Sequence, residues 1–214
     1  MDGDKFMTAS NVELETDGKR ARLKAANRQA ILDAARLVFA RLGYNATSVR
    51  DIIRETQLAA GTFYNYFRSK EEVFQALASS SAARFRPHLQ AVRETSNNFE
   101  EFIRGAYRAY FNFLKFENSD AMSKEGPNVA LFGVRADTPE MQAVFEEIRS
   151  DLESMLAVME IGDVDVEYLT AAAIGIARDL GDHMLQRQPV DVEAAATFAS
   201  ELLLKGLSGV LVTD

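Results

Sequence analysis

The sequence predicts an all-α protein, with a small N-terminal three-helix unit followed by a larger helical domain. Three observations lead there. Ala, Leu, Glu, Arg and Met are abundant, while 214 residues hold only four prolines and twelve glycines, a balance that suits helices better than turns and strands. Apolar residues recur at three- to four-residue spacing, with no alternating strand pattern of useful length. Capping residues such as Thr47, Ser69, Thr138 and Asp191 stand where those periodic stretches begin.

Taken in order, Met1 to Lys24 carries no apolar periodicity and reads as a disordered tail (1–24) with a basic end, Lys19 to Lys24. That basic run is equally a solvated charge run or an arm that reaches DNA. Residues 25–75 form the three-helix unit. Its first helix buries Ile31, Leu32, Ala35 and Phe39 and stops at Gly43, in the left-handed position helices favour at their ends. Thr47 is the expected N-cap of a short second helix with Val49, Ile52 and Ile53 inward. After a turn, Gly61 opens a third, with Phe63 and Phe67 inward. Ser69 with Glu72 makes a capping box for a helix from Lys70 to about Arg93, which Pro87 is expected to bend or divide.

The remaining domain, 76–214, reads as an aromatic helix from about Asn98 to Phe116, a polar break from Ser119 to Pro127, and a helix from Pro139 to about Glu160. Two apolar helices follow, from about Val164 to Gln186 and from Asp191 to about Gly209.

Composition excludes several functions. Without Cys there are no disulfides, thiolate nucleophiles or cysteine-ligated metals, and two His cannot build a poly-His site. No cofactor and no metal are expected. Glu146 and Glu147 point apart on adjacent helical positions, and neither a serine elbow nor a phosphate loop occurs, so an enzyme is not expected. No apolar run approaches the roughly eighteen residues of a membrane span, and no signal-peptide core is present. A cytoplasmic protein with no membrane partner is the expectation.

The net charge of −8 conceals a division: residues 19–75 carry eleven Lys or Arg against five Asp or Glu, whereas residues 76–214 carry twelve against twenty-two. A basic module on an acidic body suits a protein that lays one end on phosphates. Two short helices joined by a tight turn, within that basic part, are the physical recipe of a helix-turn-helix. On its second helix Thr62 could touch a phosphate or a thymine methyl, Tyr64 and Tyr66 could bond phosphates, and Asn65 could do either. Lys70, at a helix N-terminus, adds a point charge.

Residues 47–74, TSVRDIIRETQLAAGTFYNYFRSKEEVF, together with the preceding ILDAARLVFARLGYNATSV, resemble the DNA-binding signature of the TetR family of transcriptional regulators. The strong resemblance covers about Arg28 to Leu77. It implies a homodimeric repressor that binds palindromic double-stranded operator DNA and is released by a small-molecule effector. By position it implies DNA contacts at Thr47, Ser48, Gly61, Thr62, Tyr64, Asn65, Tyr66 and Lys70. Two departures stand out: Gln57 where the family usually has a turn glycine, and Ala59-Ala60 where it often has Ser and a polar residue. An activator or architectural DNA binder without a ligand would share the same N-terminal signature.

The resemblance also implies an effector cavity, and the surplus of Met and aromatic side chains suggests apolar walls. Tyr107, Tyr110, Phe111, Met122, Phe132, Met155, Met159 and Arg178 are its candidate residues. The last two helices carry more apolar face than one small domain buries, so Tyr168, Ala172, Ile176, Phe198, Leu202, Leu203 and Leu207 are expected at a two-fold dimer interface.

Overall fold

The computed structural model describes residues 6–118, 138–159 and 164–210, with side chains over 18–118, 138–159 and 164–207. Every regular element among them is helical: α1 (Phe6–Leu42), α2 (Val49–Thr56), α3 (Ala60–Tyr64), α4 (Lys70–Thr95), α5 (Phe99–Glu117), α6 (Pro139–Val158), α7 (Val166–Leu185) and α8 (Val192–Val210).

Most helix starts follow from local chemistry, because a short polar side chain just before the first turn can accept one of its free N–H groups. Ser69 accepts from the Glu72 amide and Asn98 from Glu101. Thr138 accepts from Met141 with Pro139 at the first position, and Asp191 accepts from Ala194 at 2.9 Å. At α2 the expected cap is off by one residue. Ser48 is the cap, and it and Asp51 form a reciprocal capping box. Thr47 is buried, donating its hydroxyl to the Gly43 carbonyl at 2.6 Å, so it closes the α1–α2 turn instead.

One further expectation is corrected, and one of the two outcomes expected at Pro87 is excluded. The tail expected to be disordered over 1–24 is helical from Phe6 onward. From Phe6 onward it contains no Pro and a single glycine, Gly18, so no residue in it is a strong helix breaker. Pro87 does not divide α4, which continues through it to Thr95.

Two cores result. The first gathers Ile31, Phe39, Ile52, Phe63 and Phe67 from α1 to α3 with Val73, Phe74 and Leu77 of α4. The second gathers Phe85 and Leu89 of α4 with the inward faces of α5 to α8. A single uninterrupted helix, α4, therefore belongs to both cores, and the boundary expected at residue 75 falls inside it. Arg93 clamps α4 to α6 through Asp151, at 2.6 and 2.7 Å. Gly181 lets α7 close on α5: a Cβ there would lie 2.5 Å from the Leu114 side chain.

Candidate functional site

The basic unit presents a helix-turn-helix, α2 and α3, fastened to α1. Arg41 of α1 reaches Glu55 of α2 at 3.1 Å, and the turn between α2 and α3 passes through Gln57 in the left-handed region, φ 58°. Ala59 precedes α3 without a side-chain cap, as its methyl requires. The α3 amides instead fold back on backbone, Thr62 N–H donating to Ala59 O at 2.9 Å and Tyr66 N–H to Phe63 O at 2.9 Å. Phe63 and Phe67 are buried, and that anchors the segment's orientation.

Anchoring by Phe63 and Phe67 decides which neighbours face outward. Gly61, Tyr64 and Asn65 are exposed, Thr62 half-buried, and space is open around the Gly61 Cα. Ser48 is exposed at the head of α2. Tyr66 is half-buried against the first core, so its ring is partly a packing element.

Lys70 departs from the expected role. Its ammonium donates to the carbonyls of Tyr44 at 2.8 Å, Thr47 at 2.9 Å and Asn45 at 3.3 Å, and lies 4.6 Å from the Tyr44 ring centre. An ammonium has three donors, and all three are engaged within the chain. Lys70 therefore ties the start of α4 to the α1–α2 turn and is not a free charge for phosphate. Tyr44 in turn donates to Glu71 at 3.2 Å, and burial followed by the Glu71 charge pushes its phenol pKa up. Exposed positive charge on the unit comes from Arg50, Arg54 and Arg68, with Lys19, Arg20, Arg22 and Lys24 on exposed turns of α1. Sequence reasoning passed over the first three because a lone arginine carries no periodic signal.

Behind this surface lies a cavity of about 990 Å³. Its apolar wall comes from α4 (Phe74, Leu77, Phe85, Leu89), α5 (Phe102, Ile103, Ala106), α6 (Val144, Phe145, Ile148) and α7 (Ala173, Ile174, Ala177). At one end the wall turns polar, with Gln29, Asp33 and Arg36 of α1, Arg84 of α4, and Glu117 and Asn118 closing α5. Arg36 pairs with Asp33 at 3.1 Å, and Arg84 pairs with Glu117.

Three expected ligand residues, Tyr107, Tyr110 and Arg178, line this cavity. Tyr107 donates to the Ala173 carbonyl at 3.2 Å, and burial raises its phenol pKa well above the ordinary value. Phe111 is fully buried core beneath the wall. Met155 packs against the second core and Met159 is exposed at the end of α6; neither borders the cavity, a correction with a simple cause. They stand a heptad beyond Ile148 and Leu152, on the same face of α6 but past the last residue of that helix that lines the cavity. Met122 and Phe132 lie outside the described residues.

The last two helices also divide the expected interface residues. Tyr168 is 77% exposed, Phe198 59% and Leu202 50%, with Ala172 exposed beside them. Ile176 is half-buried against the second core, and Leu203 and Leu207 are buried within it. These two leucines hold α8 on its own chain and are not available to a second copy.

Comparison with known proteins agrees with this geometry. The family model described as "Bacterial regulatory proteins, tetR family" matches residues 31–77, the span of the first core. The uncharacterized HTH-type transcriptional regulator YhgD of Bacillus subtilis is 25% identical over 187 residues, 85% of this chain and 96% of that protein. The HTH-type transcriptional repressor AcnR of Corynebacterium efficiens is 37% identical over 79 residues, 37% of this chain and 39% of that protein. Among solved structures, the transcriptional regulator FadR from Bacillus subtilis in complex with stearoyl-CoA superposes with a TM-score of 0.65 at 20% identity, over 83% of this chain and 98% of that one. Residues 31–77 thus match the tetR family of bacterial regulatory proteins, and the fold of the chain is the one shared with these solved structures.

Proposed function

We propose that this chain is a one-component transcriptional repressor that binds palindromic operator DNA as a homodimer and releases it when a hydrophobic small molecule fills the cavity. The single observation that carries the reading is the shared wall: Phe74 and Leu77 pack in the helix-turn-helix core and also line the cavity. An occupant of the cavity thus touches the same side chains that position α2 and α3. The outward Gly61, Tyr64 and Asn65, with Thr62 beside them, are the proposed groove surface, and Ser48 and Tyr66 the proposed phosphate contacts. The exposed face of Tyr168, Ala172, Phe198 and Leu202 is the proposed two-fold interface. Two copies would then set their recognition helices in successive major grooves, about 34 Å apart.

The size and apolar lining of the cavity favour a fatty-acyl or similarly hydrophobic effector, and a stearoyl-CoA complex is described for the FadR of Bacillus subtilis. The test is fluorescence anisotropy of a labelled duplex from the DNA upstream of its own coding sequence, with increasing stearoyl-CoA or other hydrophobic compounds. Tight, salt-sensitive binding that a compound abolishes is expected. DNA binding that no hydrophobic compound alters would favour a ligand-independent DNA binder, and no DNA binding would overturn the reading.

A further inference from the structure

Of the three arginines on the cavity wall, Arg36 and Arg84 are paired with carboxylates of the same wall. Among the described residues, Arg178 of α7 has no ion pair at that range. It stands three residues before Gly181, the point where α7 closes on α5 against Leu114 and Tyr110. Tyr110 lines the same part of the cavity, and the charges of Arg178 and Asp182 both act on its phenol. The Tyr110 hydroxyl has no hydrogen-bond partner among the described residues, whereas Tyr107, one turn earlier, donates to a carbonyl. Two donors, a guanidinium and a phenol, therefore face one cavity without an acceptor of their own.

We infer that Arg178 and Tyr110 form an anion anchor inside the effector cavity, and that the effector is a single-chain amphiphile ending in a carboxylate. This rests on the proposed effector site and names its ligand class. The geometry also orients the ligand. The wall toward α1 and the end of α5 is polar and charged, while Phe102 and Ile103 at the start of α5 are apolar. The carboxylate accepts from the Arg178 guanidinium and the Tyr110 hydroxyl, and the chain extends away from the helix-turn-helix unit. Guanidinium suits this task because its planar fork can give a carboxylate two parallel hydrogen bonds. Asp182 lies half-buried one turn beyond Arg178; burial pushes its carboxyl up to about 6, against the opposing pull of the Arg178 charge.

The test is isothermal titration of the full-length protein with palmitate, with hexadecanol as the uncharged chain of equal length and with palmitoyl-CoA as the alternative anionic source. Arg178→Gln should weaken palmitate binding about 10- to 100-fold, the range for losing a charge-assisted contact, and weaken hexadecanol, whose hydroxyl is a neutral acceptor, much less. Tyr110→Phe, which keeps the ring and removes only the hydroxyl, should weaken palmitate several-fold and guards against a folding defect in the first variant. Equal affinity of the parent for palmitate and hexadecanol would overturn the anchor, as would Arg178→Gln binding palmitate like the parent. Binding of palmitoyl-CoA without palmitate would overturn the carboxylate assignment. Since these titrations contain no DNA, failure of operator release would leave them standing and would count against the repressor reading alone.

Discussion

Replacing Phe198 by Ala separates the proposed dimer from the fold of the single chain. Phe198 is 59% exposed on α8. Taking roughly 200 Å² for a phenylalanine side chain, about 120 Å² is left in water. At about 25 cal/mol per Å², burying that area is worth about 3 kcal/mol per chain. Ala keeps about a third of it, so the variant forfeits about 2 kcal/mol per chain and about 4 kcal/mol per dimer, near a thousandfold in the dissociation constant. Stability of the single chain should hardly change, since the lost contacts are not its own. Leu203→Ala, one turn further and 5% exposed, provides the contrast. It removes buried core and should cost about 2 to 5 kcal/mol of unfolding free energy. Sedimentation equilibrium across nanomolar to micromolar concentrations, with urea unfolding of each variant, reads both quantities. Phe198→Ala dimerising as tightly as the parent would refute the assignment of this face.

Three further outcomes are expected. Lys70→Met should lower stability by about 2 kcal/mol in urea unfolding, because three carbonyls lose one charged donor; unchanged stability with weaker DNA binding would instead restore Lys70 as a phosphate contact. Gln57→Gly should stabilise the chain by about 0.5 to 1 kcal/mol, since relief of the left-handed backbone at φ 58° outweighs the extra freedom glycine gains when unfolded; a lower Tm would contradict it. Asp182→Asn should flatten the pH dependence of stability: burial raises the folded pKa to about 6, so stabilisation from protonation is present at acidic pH and lost as pH rises through about 6. After discounting for its half-exposed position, the variant should gain about 1 kcal/mol at pH 7.5 and little at pH 4.5, compared by thermal melts.

What could be read from the sequence was what depends on neighbours in the chain. Ser69, Asn98, Thr138 and Asp191 start helices because their oxygen reaches an amide two or three residues on, and that geometry is set within one turn. Phe63 and Phe67, four apart, had to share a face, so their burial and the exposure of Tyr64 followed. The role of Lys70 did not follow, because its carbonyl partners are 23 to 26 residues away. Nor could the two apolar faces of α8 be told apart: Phe198, Leu202 and Leu203 are all large and apolar, and only the position of α5 decides that Leu203 turns inward. Met155 and Met159 were drawn into the cavity by residue type, yet α6 faces it with Val144, Ile148 and Leu152. The α1 extension was missed for the opposite reason, since a solvated helix needs no apolar stripe to be built.

The cavity wall also constrains how release could work. Allostery requires an element with two arrangements that both ligands bias. The continuous α4 meets the first half of that requirement: Val73 lies in the helix-turn-helix core, Leu89 in the effector-domain core, and Phe74 and Leu77 in the wall between them. Gln29, Asp33 and Arg36 bring α1 to the same cavity, so the DNA-binding unit meets an occupant through two helices and not through a flexible linker. Under the proposed mechanism, a rigid connection would convert a small displacement at Leu77 into a rotation of α2 and α3 about the first core. In a dimer that rotation changes the separation of two recognition helices, and fixed groove spacing makes the separation decisive. If the proposed repressor reading holds, reciprocity demands that operator DNA weaken the effector by the same factor by which the effector weakens DNA. A coupling of 100-fold needs a differential contact energy of only about 2.7 kcal/mol, no more than the burial of one or two methylene-rich segments against Phe74 and Leu77 in one arrangement and not the other.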